Sequence, residues 1–87
     1  MLLVSGACLA GPWRAGANNS AGWQFMSPDE RVEHQWRMRS FTRYDECKAY
    51  QAEHHALMAE RARQAGVVLA PHEDSGCEQL RARGQLQ

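Results

Sequence analysis

Residues 42–66 read TRYDECKAYQAEHHALMAERARQAG, and no proline or glycine occurs among them before Gly66. Thr42 belongs to the residue types that favour helix N-caps, and Asp45, three residues later, can complete a reciprocal capping arrangement. Gly66 can take the left-handed conformation that commonly follows a helix end. The stretch therefore predicts one long helix that begins after Thr42 and ends near Ala65.

One face of this long helix is predicted to be buried. Residues that are three, four or seven positions apart lie on the same side of a helix. The central stripe contains Cys47, His54, Met58 and Ala65, with Tyr50 and Leu57 on one flank and Tyr44 and Ala62 on the other. We expect this stripe to face the rest of the chain.

A shorter helix is predicted before the long one. Ser27 can cap it, Pro28 suits its first turn, and Glu30 completes a capping box with Ser27. Acidic residues near its start and arginines near its end complement the helix dipole. This helix is predicted to end near Ser40.

Beyond the long helix, the sequence predicts an extended run and a last short helix. Residues 67–70 are apolar, and because Pro71 disfavours helix at the residue before it, this run is expected to lie back across the long helix. Residues 74–76 can cap a short helix over residues 77–83, and Gly84 is a suitable end.

The cysteines predict a covalent link between the long helix and the last one. A chain of 87 residues can bury only a small core, so a disulfide, a metal or a partner chain is expected to stabilise it. A disulfide between Cys47 and Cys77 would close a loop of about 30 residues. The predicted fold class is therefore all-α, a helical hairpin plus a short C-terminal helix.

The start of the chain is typical of a secretory signal. Residues 1–11 are small or apolar and uncharged, and they are too short to span a bilayer, which needs about 20 apolar residues. An Ala-Gly-Ala sequence that ends at Ala17 has the small-x-small pattern of a cleavage site, so residues 1–17 are predicted to be removed. Because no Lys or Arg precedes the apolar run, the signal is expected to be incomplete at its start. Residues 18–25 would form a flexible lead and residues 26–87 a small helical domain.

This cleavage would leave two of the three cysteines, an even number that suits an oxidising compartment such as the periplasm or the outside of the cell. Lipidation of Cys8, which follows three small residues, is a second route that leaves the same pair. The third alternative is that the apolar run is a buried element of the mature protein.

The charge balance argues against nucleic acid as a partner. Ten basic and ten acidic side chains cancel, so no basic patch is expected to attract nucleic acid or an anionic membrane. No catalytic residue is predicted either, because the serines lack a nucleophile motif and the acidic residues suit solvated helix faces. The sequence thus favours a binding function over an enzyme, with no transmembrane span in the mature protein.

Histidine and methionine one helical turn apart predict a transition-metal site. His34 and Met38 form one such pair, and His54 or His55 forms another with Met58. Residues at this spacing share a helix face, and imidazole with thioether favours copper, while histidine also binds zinc. The alternative is that both methionines fill the core and that His34 is solvated.

A second hypothesis is a structural or chaperone-like interaction module of the cell envelope. It would present Trp36, Phe41, Tyr44 and Tyr50 as an apolar surface for a protein partner or for a second copy of the chain. This hypothesis predicts association that does not depend on a metal.

The central part of the chain resembles small exported helical proteins of proteobacteria and, more distantly, periplasmic stress proteins of the Spy type. The resemblance covers about residues 26–66 and implies a periplasmic location but no assigned activity. It is carried by Met26–Arg31, Arg37–Ser40, Asp45–Cys47, Glu53–His55, Met58 and Arg61–Ala62.

Overall fold

The computed structural model describes residues 11–69 and 75–87, and all regular secondary structure in these residues is helical. The residues outside them include Cys8, most of the predicted signal, and the segment around Pro71. The all-α prediction is confirmed. A 3-10 turn at Trp23–Phe25 precedes three helices, α1 at Pro28–Ser40, α2 at Tyr44–Gln64 and α3 at Gly76–Ala82.

Helix α1 begins with the predicted capping box. The Ser27 hydroxyl accepts a hydrogen bond from the Glu30 backbone N–H at 3.2 Å, and the Glu30 carboxylate accepts one from the Ser27 N–H at 2.8 Å. Pro28 occupies the first turn, where its missing N–H leaves no hydrogen bond unmade. The helix ends at Ser40 as predicted.

Helices α1 and α2 form an antiparallel hairpin. At one end, Arg61 near the end of α2 donates to both carboxylate oxygens of Glu30, at 2.7 and 2.6 Å, and to the Phe25 carbonyl at 2.8 Å. At the other end, the Phe41 and Tyr50 rings lie 5.6 Å apart. A bidentate arginine–carboxylate pair is among the most directional of ion pairs. Glu30 therefore links the cap of α1 to the far end of α2.

Acid should weaken this link. Hydrogen bonds from Arg61 and from the Ser27 backbone lower the pKa of Glu30 from 4.5 to about 2. A carboxyl group whose pKa is lower in the folded state than in the unfolded state stabilises the fold fully at pH values above its unfolded pKa. This stabilisation is lost as the pH falls through the folded pKa. We expect the difference in melting temperature between the wild-type protein and Glu30→Gln to shrink between about pH 5 and about pH 2.

Circular dichroism at a series of pH values measures this difference. Asp29→Asn is the matched control, because Asp29 lies in the same first turn and is exposed. A constant difference between Glu30→Gln and the wild-type protein over the whole pH range would contradict the prediction.

The predicted cap of α2 is wrong. Arg43 is the N-cap residue, and its side chain makes no cap bond; the Asp45 carboxylate pairs with Arg43 at 3.0 Å and accepts from the Glu46 N–H at 2.9 Å. The place of the Thr42 cap is taken by Gln87, whose carbonyl accepts from the Tyr44 N–H at 3.1 Å and whose N–H donates to the Thr42 carbonyl at 2.9 Å. The free helix end is thus satisfied by backbone from a distant part of the chain.

The predicted stripe on α2 is buried at its centre. Cys47, Met58 and Ala62 are almost fully buried, but Leu57 is 47 % exposed and Ala65 lies on the surface. Helix α2 ends one residue before Ala65, and Gly66 has the expected positive φ of 75°. The buried stripe is narrower than predicted because α3 and the 3-10 turn cover only part of this face of α2.

The disulfide between Cys47 and Cys77 is present, with 5.9 Å between the Cα atoms. Both cysteines are fully buried, and they lie at the centre of the core beside Trp13, Met38, Leu80, Leu86. The bond fastens α3 to the first turns of α2, as predicted. Ser75 precedes α3, but its hydroxyl bonds to the Glu78 carboxylate and makes no cap bond to the backbone.

Residues 11–26 pack against the helices, whereas residues 1–17 are predicted to be removed and residues 18–25 to form a flexible lead. Trp13 is only 5 % exposed and Met26 is equally buried. A Cβ on Gly22 would come within 2.4 Å of the Met58 Cβ, and Gly22 also has a φ of 76°, so only glycine fits where this segment crosses α2. The segment packs because burial of a tryptophan and a methionine removes a large apolar area from water, which stabilises the fold more than burial of a polar lead would.

The run after α2 does not pack as expected. Val68 is 92 % exposed and Val67 is 46 % exposed, while the Val67 N–H bonds to the Ala62 carbonyl at 2.8 Å. This bond closes the helix end and directs the next residues away from α2. Ala70 lies outside the described residues.

Candidate functional site

Two histidines from different helices stack at the centre of the hairpin. His34 of α1 and His54 of α2 have ring centroids 4.4 Å apart and an angle of 22° between their planes. The Tyr50 ring, one turn before His54, lies 5.6 Å from the His34 ring. The sequence placed His34 and His54 in separate pairs; the hairpin brings them together.

The nitrogen atoms of the two rings are in different environments. Nδ1 of His34 is hydrogen-bonded to the Tyr50 hydroxyl at 2.8 Å, and Nε2 contacts the buried Ser20 hydroxyl at 3.3 Å. Nε2 of His54 is buried and has no hydrogen-bond partner among the residues that the structure describes. His54 therefore holds the unsatisfied polar atom of the pair.

Both rings are held in the neutral form near neutral pH. Burial lowers the pKa of His34 to about 4, and the neighbouring His54 lowers it further in the same direction. Burial is also the main cause that lowers the pKa of His54, with Arg61 contributing and Glu30 opposing it. A charged imidazole here would lose hydration and face a second ring at close range.

The His34 pKa predicts a loss of stability in mild acid. Between about pH 6.5 and about pH 4 the unfolded histidine binds a proton that the folded one does not, so the free energy of unfolding falls as the pH falls. We expect His34→Gln to reduce this pH dependence in urea unfolding experiments. His55→Gln is the control, because His55 is exposed, and it should keep the wild-type slope. An unchanged slope in His34→Gln would refute the prediction.

A groove of about 370 Å³ lies between α1 and α2. Leu57 supplies exposed apolar surface in it, and the charged side chains Glu30, Glu33, Arg37 and Glu53 surround it. Its remaining lining residues are Met26, His34, Tyr50, His54 and Met58. His34 and His54 also line a second pocket, of about 450 Å³. The stacked rings therefore lie between the groove and this pocket.

The charges around the groove are unbalanced. Arg61 neutralises Glu30 through the ion pair already described. Glu33 and Glu53 have no ion-pair partner among the described residues, whereas the Arg37 guanidinium lies 5.1 Å from the centre of the Tyr50 ring. The groove therefore combines exposed apolar surface with an excess of negative charge.

The two methionines among the predicted metal ligands are held in tight packing. A Cβ on Gly76 would lie 2.6 Å from the Met38 Cε, and one on Gly22 would lie 3.0 Å from the Met58 Sδ, so each methionine packs tightly against a glycine. His55 is exposed on the outer side of His54. Within the described ranges, no group of three or more His, Cys, Asp or Glu residues could hold a metal ion.

The four aromatic residues predicted to form one surface lie in different places. Trp36 is 62 % exposed on the outer face of α1, whereas Phe41, Tyr44 and Tyr50 are partly buried against the core. The Tyr44 hydroxyl donates to the Glu78 carboxylate, and the Arg81 guanidinium lies 3.9 Å from the centre of its ring. Tyr50 alone of the four lines the groove.

Sequence reasoning missed Ser20, Glu33 and Glu53 as parts of this site. Ser20 lies in the segment predicted to be flexible, and the acidic residues of the helices are predicted to lie on solvated faces. Only their helical spacing could have pointed to the groove: Glu33 and Arg37 are one turn apart, and so are Glu53 and Leu57.

Comparison of the chain with protein-family models, with curated proteins and with solved structures finds no significant match. The resemblance to small exported proteobacterial proteins therefore stays a prediction. The described helices include none with the length and apolar composition needed to cross a bilayer.

Proposed function

We propose that this chain is a protein-interaction module whose α1–α2 groove binds an apolar peptide segment that carries a positive charge. The observation that carries the proposal is the pair of carboxylates of Glu33 and Glu53, which have no ion-pair partner in the described part of the chain and lie beside the exposed Leu57. An apolar concave surface with a few convergent polar groups is the usual form of a recognition site. The function is binding rather than catalysis.

The two kinds of contact have different roles in this proposal. An apolar side chain of the partner would cover Leu57 and release water from it. A lysine or arginine of the partner would lie between Glu33 and Glu53, whose charges set the orientation and favour cationic over anionic segments. Arg37 would repel a second cation at the same end of the groove.

Fluorescence anisotropy of two labelled peptides tests this proposal. Both contain the same leucines at helical spacing, one with lysines and the other with glutamates between them. We expect the full chain to bind the lysine peptide at least about tenfold more tightly, a difference of about 1.4 kcal/mol, and the preference to weaken at high salt.

A matched pair of variants locates the binding surface. Glu33→Gln with Glu53→Gln should remove most of the preference for the lysine peptide. Glu60→Gln is the control, because Glu60 carries the same charge on α2 but pairs with Arg63 in an exposed position. Equal binding of both peptides, or an equal effect of the control, would overturn the proposal.

The second candidate function is binding of copper or zinc at the histidine pair. It is favoured by the buried Nε2 of His54, which has no hydrogen-bond partner within residues 11–69 and 75–87 and whose lone pair suits a metal. Both nitrogens of His34 already contact hydroxyl groups, so a shared ion would have to displace Ser20 or Tyr50.

Calorimetric titration with Zn²⁺, and with Cu⁺ under anaerobic conditions, tests the metal candidate. We expect micromolar binding that His54→Asn abolishes and that His55→Asn leaves in place. The candidate would be excluded if neither Zn²⁺ nor Cu⁺ gave a heat of binding. Equal loss of binding in His54→Asn and His55→Asn would exclude it as well.

The proposal includes export to an oxidising compartment, the periplasm or the outside of the cell. The disulfide supports it, because buried disulfides form and persist in such compartments. Recovery of the chain in the periplasmic or secreted fraction of its native host tests it directly. Lipid anchoring at Cys8 is the minority alternative, and the mass of the exported chain reports it.

A further inference from the structure

Hydrogen bonds and close packing hold Trp13 in the core. Its indole N–H donates to the Gln79 side chain at 2.8 Å, and its carbonyl accepts from the Arg39 guanidinium at 2.6 Å. A Cβ on Gly76 would lie 2.8 Å from the Trp13 ring and 2.6 Å from the Met38 methyl. The first residue of α3 is thus a glycine because the indole lies against it.

The residues that follow Trp13 are held in place by further hydrogen bonds. The Ala15 N–H donates to the Gln35 side chain at 3.0 Å, and the Ser20 N–H donates to the Gly16 carbonyl at 3.0 Å. The Asn19 amide donates to the Arg14 carbonyl and to the Gln79 side chain, both at 3.0 Å. Residues 13–20 are therefore part of the folded domain.

This arrangement conflicts with cleavage after Ala17. Loss of residues 1–17 would leave the place of the Trp13 ring against Gly76 empty, and it would leave Gln79 without its indole donor. It would also cut the turn between Gly16 and Ser20, which supports the buried hydroxyl beside His34. A small domain has little stability to spare for such losses.

We propose that the mature protein retains Trp13, so that the leader is cleaved at a bond that precedes Pro12 in the sequence. The reaction is hydrolysis of one peptide bond by a signal peptidase: one water is consumed, the leader gains a carboxylate and the mature chain gains an N-terminal amine. The Ala-Gly-Ala sequence that ends at Ala17 is then part of a structural turn. This inference rests on the proposed export.

N-terminal sequencing and intact mass of the periplasmic chain test the inference. The chain is recovered from its native host, because its signal is expected to be incomplete at the start, and the fraction in which it appears reports export separately from processing. We expect the exported chain to begin at or before Pro12, with or without a lipid on its first residue. An exported chain that begins after Trp13, at Asn18 above all, overturns the inference.

Ala17→Gln gives a second readout. Signal peptidases require a small residue immediately before the cut, and Ala17 is exposed, so glutamine is compatible with the fold. We expect normal processing and a mature mass that increases by the difference between glutamine and alanine. Accumulation of an uncleaved precursor in Ala17→Gln overturns the inference.

Discussion

Trp13→Ala should lower the free energy of unfolding by about 3–5 kcal/mol, the range observed when a buried large aromatic residue is truncated. The indole is 5 % exposed and touches the core that surrounds the disulfide. Its loss creates a cavity and leaves the Gln79 side chain without one hydrogen-bond donor. Urea unfolding followed by far-ultraviolet circular dichroism measures the change.

Trp36→Ala is the control for this experiment. Trp36 is 62 % exposed, and surface substitutions usually change stability by about 0.5 kcal/mol or less. Equal effects of the two substitutions would mean that the segment before α1 is not part of the folded domain, and the retention of Trp13 in the mature protein would lose its physical reason.

Loss of the disulfide should have an effect of similar size. Cys47 and Cys77 are 30 residues apart, and a loop of this length corresponds to roughly 3–4 kcal/mol of reduced chain entropy in the unfolded state. We expect Cys47→Ala with Cys77→Ala to lower the free energy of unfolding by about this amount. The total stability of small domains is only about 5–15 kcal/mol, so much of it depends on this bond.

A reductant provides the matched comparison. Dithiothreitol added to the unfolded wild-type protein should lower its stability towards that of the double variant, and it should leave the double variant unchanged. If reduction does not alter the unfolding of the wild-type protein, the disulfide does not stabilise the fold in the way that the entropy argument requires.

The two pH-dependent contacts overlap between about pH 4 and about pH 5, and they can be separated above and below this range. The histidine effect falls between about pH 6.5 and about pH 4, and the Glu30 effect lies below about pH 5. In an acidic environment, the groove would therefore weaken first at its centre, at the stacked rings, and later at the Glu30–Arg61 end. The peptide-binding experiment is best performed near neutral pH for this reason.

The candidate site was only partly predictable from the sequence. His34, His54 and Met58 were named as functional candidates, and all three line the groove. Their predicted role as metal ligands depended on pairs within one helix, whereas the His34 ring stacks on the His54 ring of the other helix. Helical spacing tells which residues share a face, but not which face of another helix lies opposite.

Local chemistry determined the helices and the disulfide from the sequence alone. The bonds of Ser27 with Glu30 and the left-handed Gly66 act within one helical turn, so their neighbours in the sequence are their partners in space. The disulfide followed from the number of cysteines and their places in the helices. The caps need no knowledge of distant contacts, whereas the disulfide joins residues 30 apart and could be predicted because only two cysteines lie outside the predicted signal.

The tertiary structure decided the features whose partners are far apart in the sequence. Gln87 replaces the Thr42 cap, Arg61 binds Glu30, and Trp13 enters the core. Many partners of suitable charge or polarity exist for each of these groups, and only the packing of the helices selects one. For the same reason, the sequence by itself predicted a small, exported, disulfide-linked helical protein, while the groove and the histidine pair arise from how α1 lies against α2.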